Sequence, residues 1–181
     1  NRFPDEETTT LTVEKTNGSP FPLYLRNPYW TSKVQVKING KKTSVKQETG
    51  KYITIKRVWK NGDKIEVTYP MKLWIAPSND NPKIAALMYG PIVLAGKMGT
   101  KGFIKGAPYS NPDLHNDYYS YNYNVPTTIN NHLNIDLINP EKSIQRVNEK
   151  SLIFRTNDGA IEFEPISRVH RQRYIIYWDL K

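Results

Sequence analysis

Short alternating segments separated by turn dipeptides run through the first half of the chain and restrict its fold. Between residues 8 and 76, apolar residues recur at every second position, which is typical of strands with one buried face. Asn39-Gly40 and Asn61-Gly62 separate consecutive segments, and Asn-Gly between such segments is a strong signal for a hairpin turn. About seven strands with turn signals every 8–12 residues predict an antiparallel β-sandwich or jelly roll.

The composition agrees with an all-β fold. The 181 residues include 12 tyrosines, 4 tryptophans, 13 prolines and 10 glycines, so aromatic residues and turns are frequent. This length suits one domain or two small ones. We predict two small packed sandwich lobes, residues 1–80 and 81–181, because the polar, turn-rich segment 77–82 is the best internal boundary. The second lobe is expected to contain a long tyrosine-rich loop within residues 96–126. The pattern also predicts a return strand at 43–46 after Asn39-Gly40, a strand at 134–138, a helical turn within 139–147 and a closing strand at 172–178.

Several classes of protein are excluded or disfavoured. The chain has no cysteine, which excludes disulfides, thiolate zinc sites and a cysteine nucleophile. It has no apolar stretch of about 18 residues, so we expect no transmembrane helix. The net charge of +9 could indicate nucleic acid binding, but the lysines are spread along strands and turns, which is typical of a solvated sheet face. We therefore expect neither nucleic acid nor a membrane as a partner.

Two acidic clusters could carry chemistry. Asp113, His115 and Asp117 alternate and could ligate a hard metal if they lay on a strand, but their context favours a loop. Glu162 and Glu164 would share one strand face, with Asp158 at the preceding turn, and glycosidases use two carboxylates about 5–9 Å apart. Any exposed acidic strand face meets that distance. No phosphate-binding loop or serine-nucleophile motif is present. We therefore predict no catalytic residue, no metal and no cofactor.

Aromatic side chains are the enriched functional resource. Exposed rings can stack on the C–H faces of sugars, and the same rings can instead fill a core or an interface. The polar surroundings of the tyrosine tract favour exposure, whereas the strand pattern around Trp74 favours packing. The candidates for contact with carbohydrate or with a neighbouring domain are Tyr118, Tyr119, Tyr121, Tyr123, Tyr29, Trp30 and Trp74.

Four segments together resemble a known family. They are FPLYLRNPYW (21–30), KINGK (37–41), GKYITIKRVWKNGDKIEVTYPM (50–71) and IAALMYGPIVLAG (84–96). Their order and spacing resemble the C-terminal region of bacterial glycoside hydrolase family 127, typified by β-L-arabinofuranosidase. The resemblance is carried by Arg26-x-Pro28-x-Trp30, Asn39-Gly40, Trp59-x-x-Gly62-Asp63 and Tyr89-Gly90-Pro91.

The resemblance implies that catalysis takes place elsewhere. In this family a cysteine nucleophile and a zinc ion held by cysteines and a glutamate lie in an upstream (α/α)6 barrel, and no cysteine of this chain can correspond to them. The chain is expected to be a non-catalytic β-sandwich region excised from a longer, exported glycoside hydrolase that acts on plant-type glycans. It would support the barrel and could contact an oligosaccharide. Tyr29, Trp30 and Trp74 are expected on a large apolar patch that faces the barrel. The alternative is an independent carbohydrate-binding module.

Overall fold

The computed structural model describes residues 1–100, 130–170 and 172–180. Within these ranges the chain forms strands, short turns and two 3₁₀ turns, Pro140–Lys142 and Ile166–Arg168. The strands are β1 (Thr8–Thr12), β2 (Pro20–Arg26), β3 (Gln35–Ile38), β4 (Lys41–Thr43), β5 (Tyr52–Val58), β6 (Lys64–Thr68), β7 (Leu73–Pro77), β8 (Ile84–Tyr89), β9 (Ile92–Gly99), β10 (His132–Leu133), β11 (Ile144–Arg146), β12 (Phe154–Thr156), β13 (Glu162–Pro165), β14 (Arg173–Ile175) and β15 (Trp178–Leu180).

Two antiparallel sheets enclose the first core. One sheet has four strands in the order β1-β6-β3-β4, and the other is a two-stranded ribbon of β2 and β5. Because side chains alternate along a strand, each sheet turns its apolar side chains to the other and its polar side chains outward. The buried residues of this core are Leu25, Val34, Val36, Ile38, Ile53, Ile55, Trp59, Ile65 and Val67.

The Asn39-Gly40 signal forms the expected hairpin turn between β3 and β4. Both residues have positive φ, 50° and 76°, as the tight turn of a twisted hairpin requires. Ile38 pairs directly with Lys41, so the return strand starts at once and spans Lys41–Thr43. The predicted return strand at 43–46 was therefore placed too late in the sequence.

A network around Asp63 joins the two Asn-Gly turns. The buried Asp63 carboxylate accepts hydrogen bonds from Nδ2 of Asn39 at 2.8 Å and from the backbone N–H of Lys60 at 2.9 Å. Oδ1 of Asn39 accepts the backbone N–H of Lys64 at 2.9 Å. These donors, led by Asn39, hold the pKa of Asp63 below its ordinary value. The Asn39-Gly40 and Gly62-Asp63 motifs are thus two ends of one structural unit.

We expect Asp63→Asn to weaken the fold at neutral pH and to flatten its response to acid. A carboxylate with a depressed pKa contributes stability above its unfolded pKa of about 4, and that contribution is lost as pH falls through the folded pKa. An asparagine amide has one oxygen in place of two, so it cannot accept both hydrogen bonds in the same way. It is also neutral, so it has no charge that titrates with pH. Thermal unfolding midpoints at intervals between about pH 7 and pH 3 measure the effect. The control is Glu149→Gln at an exposed site. An unchanged acid response in Asp63→Asn would contradict this account.

A nine-stranded sheet encloses the second core. Its main path is β10-β15-β8-β9-β13-β12-β11, with β7 paired to β8 and β14 paired to β9. Neighbouring strands are antiparallel except for β10 and β15. The buried residues of this core are Met71, Leu73, Leu87, Tyr89, Leu94, Leu133, Ile135, Ile144, Leu152, Phe154, Phe163, Ile175 and Trp178.

The last strands fill the space where β8 and β9 separate. β8 and β9 pair from Leu87 and Leu94 to the turn, but from Gly96 onward β9 pairs with β14 instead. β15 then pairs with β8 through Trp178 and Ala85. The predicted closing strand, 172–178, is therefore two short strands with different partners.

The segment between β10 and β11 also differs from its prediction. A strand was expected at 134–138, but Oδ1 of Asp136 accepts the backbone N–H groups of Ile138 and Asn139 at 3.0 and 2.9 Å. Such local bonds turn the chain away from a sheet. The expected helical turn at 139–147 is the 3₁₀ turn that begins at Pro140, and it ends before β11.

The fold class is confirmed as all-β, with antiparallel sheets packed around two cores. The division of the chain at residue 80 stays a prediction. Within residues 1–80, β7 pairs along its whole length with β8 of the nine-stranded sheet.

Candidate functional site

The four tyrosines of the tract, Tyr118, Tyr119, Tyr121 and Tyr123, lie outside the described residues. The same holds for Asp113, His115 and Asp117. The roles assigned to these residues therefore stay predictions. The remaining candidates, Tyr29, Trp30 and Trp74, lie in the described part of the chain.

Tyr29 and Trp74 are in contact. Their rings are nearly perpendicular, at 87°, with centroids 5.6 Å apart. The indole of Trp74 is half-buried, and its Nε1 donates a hydrogen bond of 2.8 Å to the carbonyl oxygen of Gly90, which fixes its orientation. Tyr29 is 70% exposed, so it presents most of its ring to solvent beside a fixed partner. Of the candidates that are described, it is the one best placed to contact another molecule.

Trp30 has a different environment. It is half-buried, packs against the second core, and lies 5.9 Å from the ring of Tyr69. Phe3 also packs against the second core, and its ring centroid lies 5.6 Å from that of Tyr69. Tyr69 itself packs against the first core, and burial raises the pKa of its hydroxyl. We call Phe3, Trp30 and Tyr69 the aromatic joint, because they connect the two cores.

Hydrogen bonds fix the chain next to the aromatic joint. The carbonyl oxygen of Glu7 accepts the N–H of Tyr69 at 2.8 Å, and its side-chain Oε1 accepts the N–H of Met71, also at 2.8 Å. Oγ1 of Thr31 donates to the carbonyl oxygen of Pro70 at 2.8 Å. Residues 69–71, which connect the two cores, are therefore held by Glu7 and Thr31 from two separate parts of the chain. Trp30 serves this joint, and the expected large apolar patch around Tyr29, Trp30 and Trp74 stays a prediction.

The Glu162 carboxylate lies between two cations. One oxygen accepts a hydrogen bond from Nζ of Lys97 at 2.8 Å, and the other accepts one from the Arg155 guanidinium at 2.6 Å. These two partners, Lys97 first, lower the pKa of Glu162. A general acid in glycoside hydrolysis needs a raised pKa instead. Glu162 is thus held ionised in an ion-pair bridge between β9, β12 and β13.

The other two carboxylates of this cluster have local partners. Glu164 accepts a hydrogen bond of 3.3 Å from Nε2 of Gln172. Asp158 accepts the N–H of Ala160 at 3.0 Å within a turn, and hydrogen bonds from Thr156 and from that N–H lower its pKa. The three acidic residues therefore form structural contacts.

A cleft with a volume of about 770 Å³ lies beside β9, β10 and β12. Its polar lining groups are engaged locally: Oγ of Ser143 accepts the N–H of Asp136 at 2.9 Å, and Nδ2 of Asn157 donates to the carbonyl oxygen of Lys142 at 2.7 Å. His132, at the edge, has its Nδ1 2.9 Å from a carboxylate oxygen of Asp179. No group of three potential metal ligands occurs within residues 1–100, 130–170 and 172–180.

Sequence reasoning missed one exposed aromatic pair. Tyr24 of β2 and Tyr52 of β5 lie on the outer face of the ribbon with ring centroids 6.4 Å apart. The alternation of each strand placed both tyrosines opposite the apolar face. Because β2 and β5 are separated by two other strands in the sequence, nothing in either segment indicated that they pair.

The described part of the chain contains no helix long and apolar enough to cross a bilayer.

Comparison with known proteins gives a family match for part of the chain. Residues 1–71 match the model of the β-L-arabinofuranosidase GH127 middle domain. No curated protein sequence matches the chain. A GH127 β-L-arabinofuranosidase from Geobacillus stearothermophilus T6 is 33% identical, over 52% of this chain and 16% of that one, but its TM-score of 0.46 is too low for a structural argument.

Two solved structures share the fold over nearly the whole chain. One, described as a glycoside hydrolase, is 16% identical, with a TM-score of 0.61, over 98% of this chain and 31% of that one. The other, a GH127 β-arabinofuranosidase, is 18% identical, with a TM-score of 0.61, over 100% of this chain and 31% of that one. This chain therefore spans about a third of the length of either structure. Residues 1–71 are thus similar in sequence to the middle domain of glycoside hydrolase family 127, and the fold of the chain is shared with part of each of these two larger structures.

Proposed function

We propose that this chain is a non-catalytic β-sandwich region of a glycoside hydrolase and that it supports a catalytic (α/α)6 barrel of the same polypeptide. The match of residues 1–71 to the GH127 middle domain is the observation that supports this most directly. The environment of Glu162 agrees with it, because both oxygens of that carboxylate are engaged by cations. The parent enzyme would be exported, since plant-type glycans are too large to enter a cell.

The supporting role requires a surface that binds the barrel, and we assign Tyr29 and Trp74 to it. A large aromatic ring that is exposed and held beside a fixed indole loses little freedom when a partner covers it. Rings of this kind are common among the residues that dominate binding energy in interfaces. The aromatic joint would keep this surface in a constant position relative to both cores.

The test uses this chain and the barrel of the same polypeptide, produced separately and mixed. We expect a one-to-one complex in analytical ultracentrifugation, and about tenfold weaker association for Tyr29→Ala. The control is Tyr177→Ala, which removes a tyrosine that is 56% exposed elsewhere. A reading frame that encodes no barrel, or a complex that is equally strong in both variants, would contradict the proposal.

A second function, an independent carbohydrate-binding module, is supported by the same exposed ring of Tyr29. It predicts that the chain binds arabinan or arabinogalactan oligosaccharides without any barrel. Isothermal titration of the chain with these oligosaccharides distinguishes the two functions: binding that Tyr29→Ala abolishes favours the module, and no heat of binding favours the supporting role alone.

A further inference from the structure

The outer face of the ribbon combines exposed aromatic rings with cations. Tyr24 and Tyr52 are 59% and 58% exposed, and their rings meet nearly perpendicularly, at 85°. The guanidinium carbon of Arg26 lies 5.4 Å from the centroid of the Tyr52 ring, and Arg26 is the direct cross-strand partner of Tyr52. The inner face of the ribbon is buried in the first core, so these side chains are held by a rigid element.

This face contains positive charge without negative charge. Neither β2 nor β5 contains an aspartate or a glutamate. Arg26 and Lys56 form no ion pair among the residues that the structure describes. Elsewhere several arginines have carboxylate partners, as in Arg155 with Glu162 and Arg168 with Asp5. The cations of the ribbon are therefore available to an anion from outside.

We propose that the outer face of the ribbon, defined by Tyr24, Arg26, Tyr52 and Lys56, binds an acidic polysaccharide built from hexuronic acids. Each hexuronate has an apolar C–H face, which stacks on an aromatic ring, and a carboxylate, which pairs with a guanidinium in a two-pronged hydrogen bond. Arg26 stacked on Tyr52 places both features side by side. Lys56, two positions beyond Thr54 on the same face, supplies a second cation along the strand direction.

The same chemistry could suggest single-stranded nucleic acid, but the observations favour the glycan. Nucleic acid binding relies on several cations that follow a phosphate at every nucleotide, and this face has two. A hexuronate chain has one charge per sugar, and its rings need only one stacking surface each.

This site is separate from the surface assigned to the barrel. It uses the ribbon, whereas the barrel contact uses Tyr29 and Trp74. The supporting role could therefore fail while the ribbon binds glycan, and the reverse also holds, so the two experiments have independent outcomes.

The test titrates the whole chain with an oligosaccharide of galacturonic acid and with its fully methyl-esterified form. The ester keeps the sugar rings and removes the charge. We expect binding of the acid form at least tenfold tighter than that of the ester. Tyr52→Ala and Arg26→Gln should each weaken binding of the acid form about tenfold or more. The controls Tyr177→Ala and Lys150→Gln change an exposed ring and an exposed cation elsewhere, and should leave binding unchanged.

Because both target side chains are exposed, the variants should keep the thermal unfolding midpoint of the parent chain, which is measured alongside. Three results would overturn the proposal: equal affinity for acid and ester, unchanged affinity in Tyr52→Ala, or tighter binding of oligo-deoxythymidine than of the glycan with a steep dependence on salt.

Discussion

Replacing Gly96 by alanine is expected to destabilise the fold around the second core by about 3 kcal/mol. A Cβ at this position would lie 2.7 Å from Cη2 of Trp178 and closer still to Cζ2. The indole cannot move aside, because Trp178 is fully buried and packs against Phe163 with ring centroids 5.6 Å apart. Gly96 also pairs with both Phe163 and Ile175, so a shift of its backbone would disturb two ladders. Urea unfolding followed by circular dichroism measures the loss.

Two further variants separate steric overlap from other causes. Gly99→Ala lies on the same strand with open space around its Cβ but with a φ of +69°, so it should cost only about 1 kcal/mol from backbone strain. Trp178→Phe removes the atoms that a Cβ at residue 96 would meet. It also removes an indole Nε1 that has no hydrogen-bond partner among the described residues. In the double variant the cost of Gly96→Ala should shrink by about half or more. If the costs of Gly96→Ala and Trp178→Phe simply added in the double variant, the proposed steric overlap would be contradicted.

Replacing Trp59 by alanine is expected to cost about 4 kcal/mol of stability around the first core. The indole is 1% exposed and packs in the core between the ribbon and the four-stranded sheet. Its Nε1 donates a hydrogen bond of 3.0 Å to the carbonyl oxygen of Phe21, and the Arg57 guanidinium lies 5.1 Å from its ring centroid. Truncation therefore leaves a cavity, an unpaired carbonyl and an unstacked cation.

The matched variant Trp59→Phe keeps most of the ring and loses the hydrogen bond, so it should cost about 1–2 kcal/mol. Tyr174→Ala, at a tyrosine that is 49% exposed, should change stability by about 0.5 kcal/mol or less. Both are measured by the same urea unfolding. If Trp59→Ala were no worse than Tyr174→Ala, Trp59 would not be a core residue.

The strands around the first core could be predicted because their periodicity is local. Alternation in β3, β5 and β6 follows directly from one buried face, and positive φ at Asn39 and Gly40 follows from the needs of a two-residue turn. Strand pairing could not be predicted in the same way. β2 pairs with β5 rather than with a sequence neighbour, so the exposed pair Tyr24 and Tyr52 appears only in three dimensions.

The C-terminal half was harder to predict because its strands are short and change partners. Residues 172–178 are predicted as one closing strand, but the structure has β14 paired with β9 and β15 paired with β8, where those two strands separate. The segment after β10 has apolar residues that suggest a strand, yet the Asp136 side chain competes for the backbone N–H groups. The periodicity of apolar residues predicts neither a local side-chain hydrogen bond nor the point at which two strands separate.

The candidate residues were predicted from residue type and expected exposure, but the structure places them in different environments. Trp30 lies in the aromatic joint, whereas Tyr29 is largely exposed. Glu162 and Glu164 satisfied the spacing of a carboxylate pair, but spacing alone does not include the cations contributed by β9 and β12. The electrostatic environment, which lowers the pKa of Glu162, became visible only with the strand order.

The central proposal is that the acidic residues of this chain are structural and that the chain itself does not hydrolyse glycosides. The direct measurement is release of nitrophenol from 4-nitrophenyl β-L-arabinofuranoside by the purified chain, with Glu162→Gln in parallel. The account predicts that both proteins release no more nitrophenol than buffer, while Glu162→Gln lowers the thermal unfolding midpoint because Lys97 and Arg155 lose their shared carboxylate. Turnover by the parent chain that Glu162→Gln abolishes, with the unfolding midpoint unchanged, would contradict it.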